Sequence, residues 1–157
     1  MAKPQKRHTA LIPLSHDHHH GLMLCRKINK GIALGVKPDR IMAYARHFFS
    51  AQLEKHFREE EQILFPVLGN TNENVRRALA EHKNMEYLFF EEIDLHKASS
   101  QIVRELDIHI RFEERILFNE IQDNASTNQL LAIANKLESG KKTPVKEEWN
   151  DQFWVSA

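Results

Sequence analysis

The sequence predicts an all-α protein: an antiparallel up-down-up-down four-helix bundle with a short fifth helix and an irregular C-terminal tail. Apolar residues recur three and four positions apart in four long stretches, and no stretch alternates as a strand does. Short connecting segments separate the stretches, which favours antiparallel neighbours. At 157 residues the chain can bury a core as one domain.

The first two predicted helices form a hairpin. The first helix begins near Ser15, a good N-cap, and is ended by Gly31, Gly35 and Pro38. The second helix spans about 39–68, because a proline near its end and a Gly-Asn pair after it terminate the pattern.

The next two predicted helices form a second hairpin. The third helix begins at Asn74, a plausible N-cap, and its apolar seam continues to His96. Ser99 or Ser100 caps the fourth helix, which places the connection near residue 97. The short fifth helix covers about 128–137.

Three segments follow from these elements. Residues 1–13 are basic, contain two prolines and form an N-terminal arm or a strap lying on the domain. Residues 14–125 form the bundle, and residues 126–157 form the short helix and the tail. We expect the tail tryptophans, Trp149 and Trp154, to pack on the bundle, with partner binding as the alternative.

Composition excludes several classes of protein. The formal net charge is zero, which gives no electrostatic reason to bind nucleic acid or an anionic membrane. A single cysteine, Cys25, excludes an intrachain disulfide, and there is no signal-peptide core and no run of 18 apolar residues. We therefore expect a soluble cytoplasmic protein; a protein partner or a homo-oligomer has no positive indication.

Two stretches of the chain, residues 56–65 and 109–118, repeat one another. Aligned without a gap, they match at His, Arg, two Glu, Ile, Leu and Phe. Each contains H-x-x-x-E, which on a helix directs an imidazole and a carboxylate to one face. The sequence therefore offers a metal-ligand pair twice: His56 with Glu60, and His109 with Glu113.

Two further histidines, His18 and His82, lie on the inward seams of the first and third helices. Each helical residue rises about 1.5 Å, so counting from the predicted connections places all the candidate ligands within about two turns of one level. A buried glutamate without partners costs several kcal/mol, which argues against a purely structural role. The candidate ligands are His18, His56, Glu60, His82, His109 and Glu113.

Four imidazoles and two carboxylates are too many for one zinc ion. They suit two metal ions about 3.5–4 Å apart, bridged by the carboxylates. This donor mixture favours iron or manganese over thiolate-seeking ions. Two Fe(II) ions would retain positive charge and open coordination. That favours a bridging oxide or hydroxide and an added small ligand such as dioxygen, peroxide or nitric oxide.

The chain resembles the haemerythrin-like HHE cation-binding domain family over roughly residues 10–125. The segments that carry the resemblance are Leu14-Ser15-His16-Asp17-His18-His19, residues 56–66, Glu81-His82 and residues 109–114. The resemblance implies a four-helix bundle with a non-haem di-iron centre. The ligands that it implies are His18, His56, Glu60, His82, His109 and Glu113, with Glu60 and Glu113 bridging.

Glu86 and His19 are two further candidate ligands. Glu86 stands where the chain departs from the family pattern, and His19 follows from an ambiguity in the phase of the first helix. Oxygen-carrying haemerythrins have a second histidine on the third helix where this chain has Glu86, which argues against simple reversible oxygen carriage and makes Glu86 an additional candidate ligand. In the His18–His20 run, a shift of one residue in helix phase would replace His18 with His19.

The sequence thus predicts a haemerythrin-like non-haem di-iron protein that binds dioxygen or a related small ligand for sensing, scavenging or stress response. One alternative is a metal-dependent regulatory or iron-handling module without turnover. A second is a dinuclear metallohydrolase using manganese or zinc, for which the sequence shows no substrate-binding segment. No catalytic residue is assigned, and turnover stays undecided.

Overall fold

A computed structural model describes residues 5–140 and 149–155, and the regular structure in those residues is all helical. The α-helices are α1 (Ile12–Ala33), α2 (Pro38–Phe48), α3 (Glu54–Glu59), α4 (Glu73–Phe89), α5 (Leu95–Phe112), α6 (Phe118–Asn124) and α7 (Thr127–Ser139). Three π-helical turns and two 3₁₀ turns complete the set: Phe49–Leu53, Glu60–Leu64 and Glu113–Leu117, and Thr9–Leu11 and Phe65–Val67.

These elements combine into four long rods. α2 and α3 run on through two π-helical turns as the second rod, residues 38–64. α5 and α6 are joined by a π-helical turn as the fourth rod, residues 95–124. α1 and α4 are the other two rods, and both pack against α5; α2 packs against α1 and α5. The predicted all-helical class is confirmed.

A layer of buried polar side chains divides the core into two apolar clusters. On α1, Leu14 belongs to one cluster and Leu24 to the other, with His18 buried between them. On α4, Ala78 and Met85 flank His82 in the same way. Each rod therefore carries polar side chains at one level, and apolar packing above and below holds that level in place.

The predicted start of the first helix is wrong by about one turn. α1 begins at Ile12, because Pro13 fits the first turn of a helix, and a 3₁₀ turn capped by His8 precedes it. The backbone N–H of Ala10 donates to His8 Nδ1. Ser15 is not a cap; its hydroxyl donates to Glu114 Oε2 at 3.1 Å.

The predicted connection near residue 97 is also wrong. α4 ends at Phe89, and Asp94 caps α5 by accepting from the backbone N–H of Lys97. Ser99 and Ser100 therefore lie inside α5, and His96 lies in its first turn. The apolar seam misled the prediction, because Ile93, which continues its spacing, is 95% exposed in the connection. At the other end of α4, Asn72 is the cap in place of Asn74.

The predicted fifth helix is confirmed as α7, which a capping box of Ser126 and Gln129 begins. The described end of the tail, residues 149–155, packs on the rods. Phe153 is buried there, and the Trp154 ring lies 4.6 Å from that of Tyr44. Part of the predicted irregular tail, residues 141–148, lies outside the described residues.

The N-terminal segment behaves as a strap over its described part. Gln5 and His8 bond to the side chains of Asp123 and Gln122 on α6. Arg7 donates to Asn119, Gln122 and Glu114.

The boundaries predicted for the arm, the bundle and the tail remain a prediction. Within the described residues, every helix is too short or too polar to cross a membrane.

Candidate metal centre

The buried polar layer brings all six candidate ligands together. Each is at most 4% exposed. Their donor atoms form two four-residue groups, in each of which the atoms lie within 4.8 Å of one another. Glu60 and Glu113 belong to both groups. The first group adds His18 and His56, and the second adds His82 and His109.

The two H-x-x-x-E pairs occupy matching places in the centre. His56 Nε2 lies 3.2 Å from Glu60 Oε1, and His109 Nε2 lies 3.0 Å from Glu113 Oε1. The histidines of α1 and α4 complete the arrangement crosswise. His18 Nε2 lies 3.0 Å from Glu113 Oε1, and His82 Nε2 lies 3.2 Å from Glu60 Oε1. Each shared glutamate is thus reached by a histidine of its own rod and by one of another rod.

The outward nitrogen of every histidine in the centre faces a carboxylate on another rod. An ionised carboxylate only accepts hydrogen bonds, so each Nδ1–H donates, and this leaves Nε2 facing the centre. The four bonds are His18 to Glu114 (3.0 Å), His56 to Asp17 (3.0 Å), His82 to Glu61 (2.8 Å) and His109 to Glu81 (2.8 Å).

Two of these outer carboxylates are held in turn. Arg7 of the strap donates to Glu114 Oε2 at 2.9 Å, and Arg77 donates to Glu81 Oε2 at 3.0 Å. The hydrogen bonds that orient the imidazoles therefore form chains that run from the centre to the surface of the protein.

Several inward-facing atoms of the centre have no hydrogen-bond partner. Among the described residues, the buried side-chain atoms without a partner include Nε2 of His56, His82 and His109, both oxygens of Glu60 and one oxygen of Glu113. Leaving that many buried polar atoms unpaired costs several kcal/mol in a purely structural core. The atoms left over are imidazole nitrogens and carboxylate oxygens, the donors that iron, manganese and zinc accept. The residues present therefore fit a metal centre.

The repeated sequence stretches produce a repeated backbone feature. Glu60 and Glu113 each begin a π-helical turn, and such turns occur frequently at functional sites. The next residue in each turn, Glu61 or Glu114, reaches the Nδ1 of a histidine on a neighbouring rod. Each pair of consecutive glutamates thus contacts both nitrogens of one histidine on another rod: Glu60 and Glu61 contact His82, and Glu113 and Glu114 contact His18.

Aromatic rings close the centre to solvent in an approximately two-fold pattern. Phe65 and Phe118, equivalent positions of the repeat, lie against His82 and His18 with ring centroids 5.7 and 5.2 Å apart. The symmetry ends at Phe57, which stacks on His82 at 3.9 Å; its counterpart in the repeat is Ile110. Ile110 lies against Gly21, where an added Cβ would approach its tip to 2.9 Å.

Without a metal ion, the two shared carboxyls have opposite electrostatic character. Burial, together with the charge of Glu113, raises the pKa of Glu60 to about 8. Burial alone would raise the pKa of Glu113 too, but the charge of His109 outweighs it and lowers that pKa well below its usual range. Burial opposes protonation of His109, yet the negative charge of Glu113 beside it raises its pKa to about 10.

The two additional candidates lie outside the centre. His19 is exposed, and the buried histidine of the run is His18. Glu86 is exposed and lines a cavity of about 440 Å³ that also borders Phe57, Glu61 and His82. Neither residue belongs to the two metal-binding groups found in the described residues.

Sequence reasoning missed two functional residues, Asp17 and Glu81. Each immediately precedes a ligand candidate, His18 or His82, but bonds to the histidine of another rod. The sequence did contain a signal for them, because an acidic residue directly precedes the histidine in both Asp17-His18 and Glu81-His82. From the sequence we expect an apolar shell of Phe49, Phe57, Phe89 and Phe112. Phe57 does stack on His82, but Phe112 packs beneath Arg77, and the unexpected Phe65 and Phe118 contact the histidines.

A protein-family model matches more than half of the chain. The model of the hemerythrin HHE cation binding domain family matches residues 9–93. This range contains His18, His56, Glu60 and His82, and it ends before the second H-x-x-x-E pair. Searches of curated proteins and of solved structures gave no match.

Proposed function

The chain belongs to the haemerythrin HHE cation-binding domain family, and on this premise we propose that its buried centre holds two non-haem iron ions and binds a small ligand. Dioxygen, nitric oxide and peroxide are the ligand candidates, and the roles are sensing, scavenging or stress response. The observation that carries the proposal is that two groups of four residues share both of their glutamates.

The sharing of Glu60 and Glu113 supports two ions rather than one. Each group offers two imidazole nitrogens and two carboxylate oxygens, so the two groups would hold two ions, each with two histidines and both glutamates as its protein ligands. Iron held by these residues would keep open positions for an added small ligand. When bound, the ions supply these open positions and the change of oxidation state.

The protein residues orient the donors and exclude water. Four Nδ1 hydrogen bonds keep the Nε2 atoms directed inward, so little reorganisation accompanies metal binding. Phe57, Phe65 and Phe118 cover the histidine rings and leave the centre in apolar surroundings. Complete burial of Glu60 and Glu113 restricts the centre to ligands of a few atoms.

The antiparallel up-down-up-down order of the rods is part of the same proposal. Short connections join α1 to α2 and α4 to α5, which favours antiparallel neighbours. Packing of α1 against α2 and of α4 against α5 supports two hairpins, each with one H-x-x-x-E rod.

The test is metal analysis of the full chain purified without added metal, followed by a redox cycle. We expect two irons per chain and, after anaerobic reduction and exposure to air, a visible charge-transfer band. Stoichiometric iron with an unchanged spectrum would refute the reactive centre. One iron or less per chain in protein supplied with excess Fe(II) would refute the dinuclear assignment.

A further inference from the structure

A pair of histidines lies on the outer face of α1, apart from the buried centre. His16 and His20 are one helical turn apart, with Nε2 atoms separated by 3.3 Å. Their rings are perpendicular, at 89°, with centroids 4.8 Å apart. His16 is exposed and His20 is partly exposed, so both face solvent.

The separation of the two nitrogens matches a metal-binding geometry. Two Zn–N bonds of about 2.0–2.1 Å at a tetrahedral angle place the nitrogens about 3.3–3.4 Å apart, whereas a right angle gives about 2.9 Å. The torsion that turns a histidine ring about its Cβ–Cγ bond is broad, so small rotations direct both lone pairs to one point. Little rearrangement of His16 and His20 is therefore needed to chelate an ion.

We propose that His16 and His20 form a second, surface site for one divalent cation that prefers imidazole, with zinc as the fitting ion. Among the described residues, no third histidine, cysteine or carboxylate joins the pair in a metal-binding group. A site with two protein ligands exchanges its ion with solution, unlike the four-ligand structural sites.

The surface site and the buried centre share no ligand. His18, between the two histidines in sequence, lies about 200° around the helix from each of them and is buried. His16 and His20 belong to neither group of the buried centre. The site therefore stands or falls separately from the proposed function.

Equilibrium dialysis of the full chain, with its buried centre already loaded with iron, tests the site. The protein is dialysed against buffered zinc, and zinc and iron per chain are both measured. We expect one zinc in the wild type. His16→Ala or His20→Ala should each raise the zinc concentration for half occupancy by about a hundredfold, because the second ligand then no longer binds intramolecularly.

His19→Ala is the matched control, because it removes a neighbouring exposed imidazole and should leave zinc uptake unchanged. His16→Gln and His20→Gln, with far-UV circular dichroism, separate loss of binding from loss of helix. Equal zinc uptake by wild type and both pair variants would overturn the proposal and leave a plain imidazole hydrogen bond. Zinc uptake matched by iron loss would overturn it too.

Discussion

Substituting a histidine in either half of the buried centre should lower the number of irons bound per chain. His56 belongs only to the first metal-binding group and His109 only to the second. His56→Ala therefore takes a donor from one group and leaves the other intact, and His109→Ala does the reverse. Each variant should bind one iron or fewer per chain, where the wild type binds two.

The magnitude follows from how the donors are shared. Each group has four residues, so one substitution leaves three donor residues in one group and all four in the other. Glu60→Ala is different, because Glu60 belongs to both groups and its loss leaves each with three. Its metal content should fall below that of either histidine variant.

The assay is iron per folded chain, measured on full-length protein loaded with Fe(II) anaerobically and desalted. His20→Ala is the control: it removes the same side chain from the surface of α1 and should retain two irons. Equal losses in His56→Ala, His109→Ala and His20→Ala would refute the assignment. So would full iron content in either centre variant.

Three further results are expected. Glu81→Gln weakens the hydrogen bond that orients His109 and should lower iron affinity about 10- to 100-fold in a competition assay with a chelator. Metal-free protein should lose stability as pH rises from about 5 to 9, measured by urea unfolding. The reason is that the pKa of Glu60 is about 8 in the folded protein, above its unfolded value. Its contribution to the free energy of unfolding is therefore complete below the unfolded pKa and falls as the carboxyl ionises. Gly31→Ala should cost about 1–3 kcal/mol of stability, because its Cβ would lie 2.7 Å from Phe153.

Each of these has a matched control. Glu86→Gln alters an exposed carboxyl on the same helix as Glu81; an equal loss of affinity there would make Glu86 a ligand. Iron-loaded protein should show the reverse pH trend, since falling pH protonates the ligands, and parallel trends would contradict the electrostatics. Gly31→Ala should add little cost in a Phe153→Ala background; a full additional cost would place the clash elsewhere.

Helical periodicity and the internal repeat were enough to predict which six side chains share the buried layer. They were not enough to predict the outer carboxylates, because periodicity describes the face of a single helix. Asp17 and Glu81 act across to another rod. The π-helical turns at Glu60 and Glu113 were likewise missed, since nothing in a 3.6-residue pattern marks the insertion of a wider turn.

His82 and His109 lie at one level, as counting residues from the predicted connections indicated, although the connection between their helices was misplaced. His82 lies about 10 Å from the end of α4, and His109 lies about 21 Å from the start of α5, at 1.5 Å per residue. The connection at 90–94 is not helical and can extend by about 3.3 Å per residue, which covers the difference.

The four outer hydrogen bonds close into a ring. Along the ring the fourth rod accepts from α1, α1 from the second rod, the second rod from α4, and α4 from the fourth rod. Every rod gives one bond and receives one, so sliding any rod by a single turn breaks two links at once. The ring of hydrogen bonds thus fixes the relative heights of all four rods at the level where the metal ligands must meet.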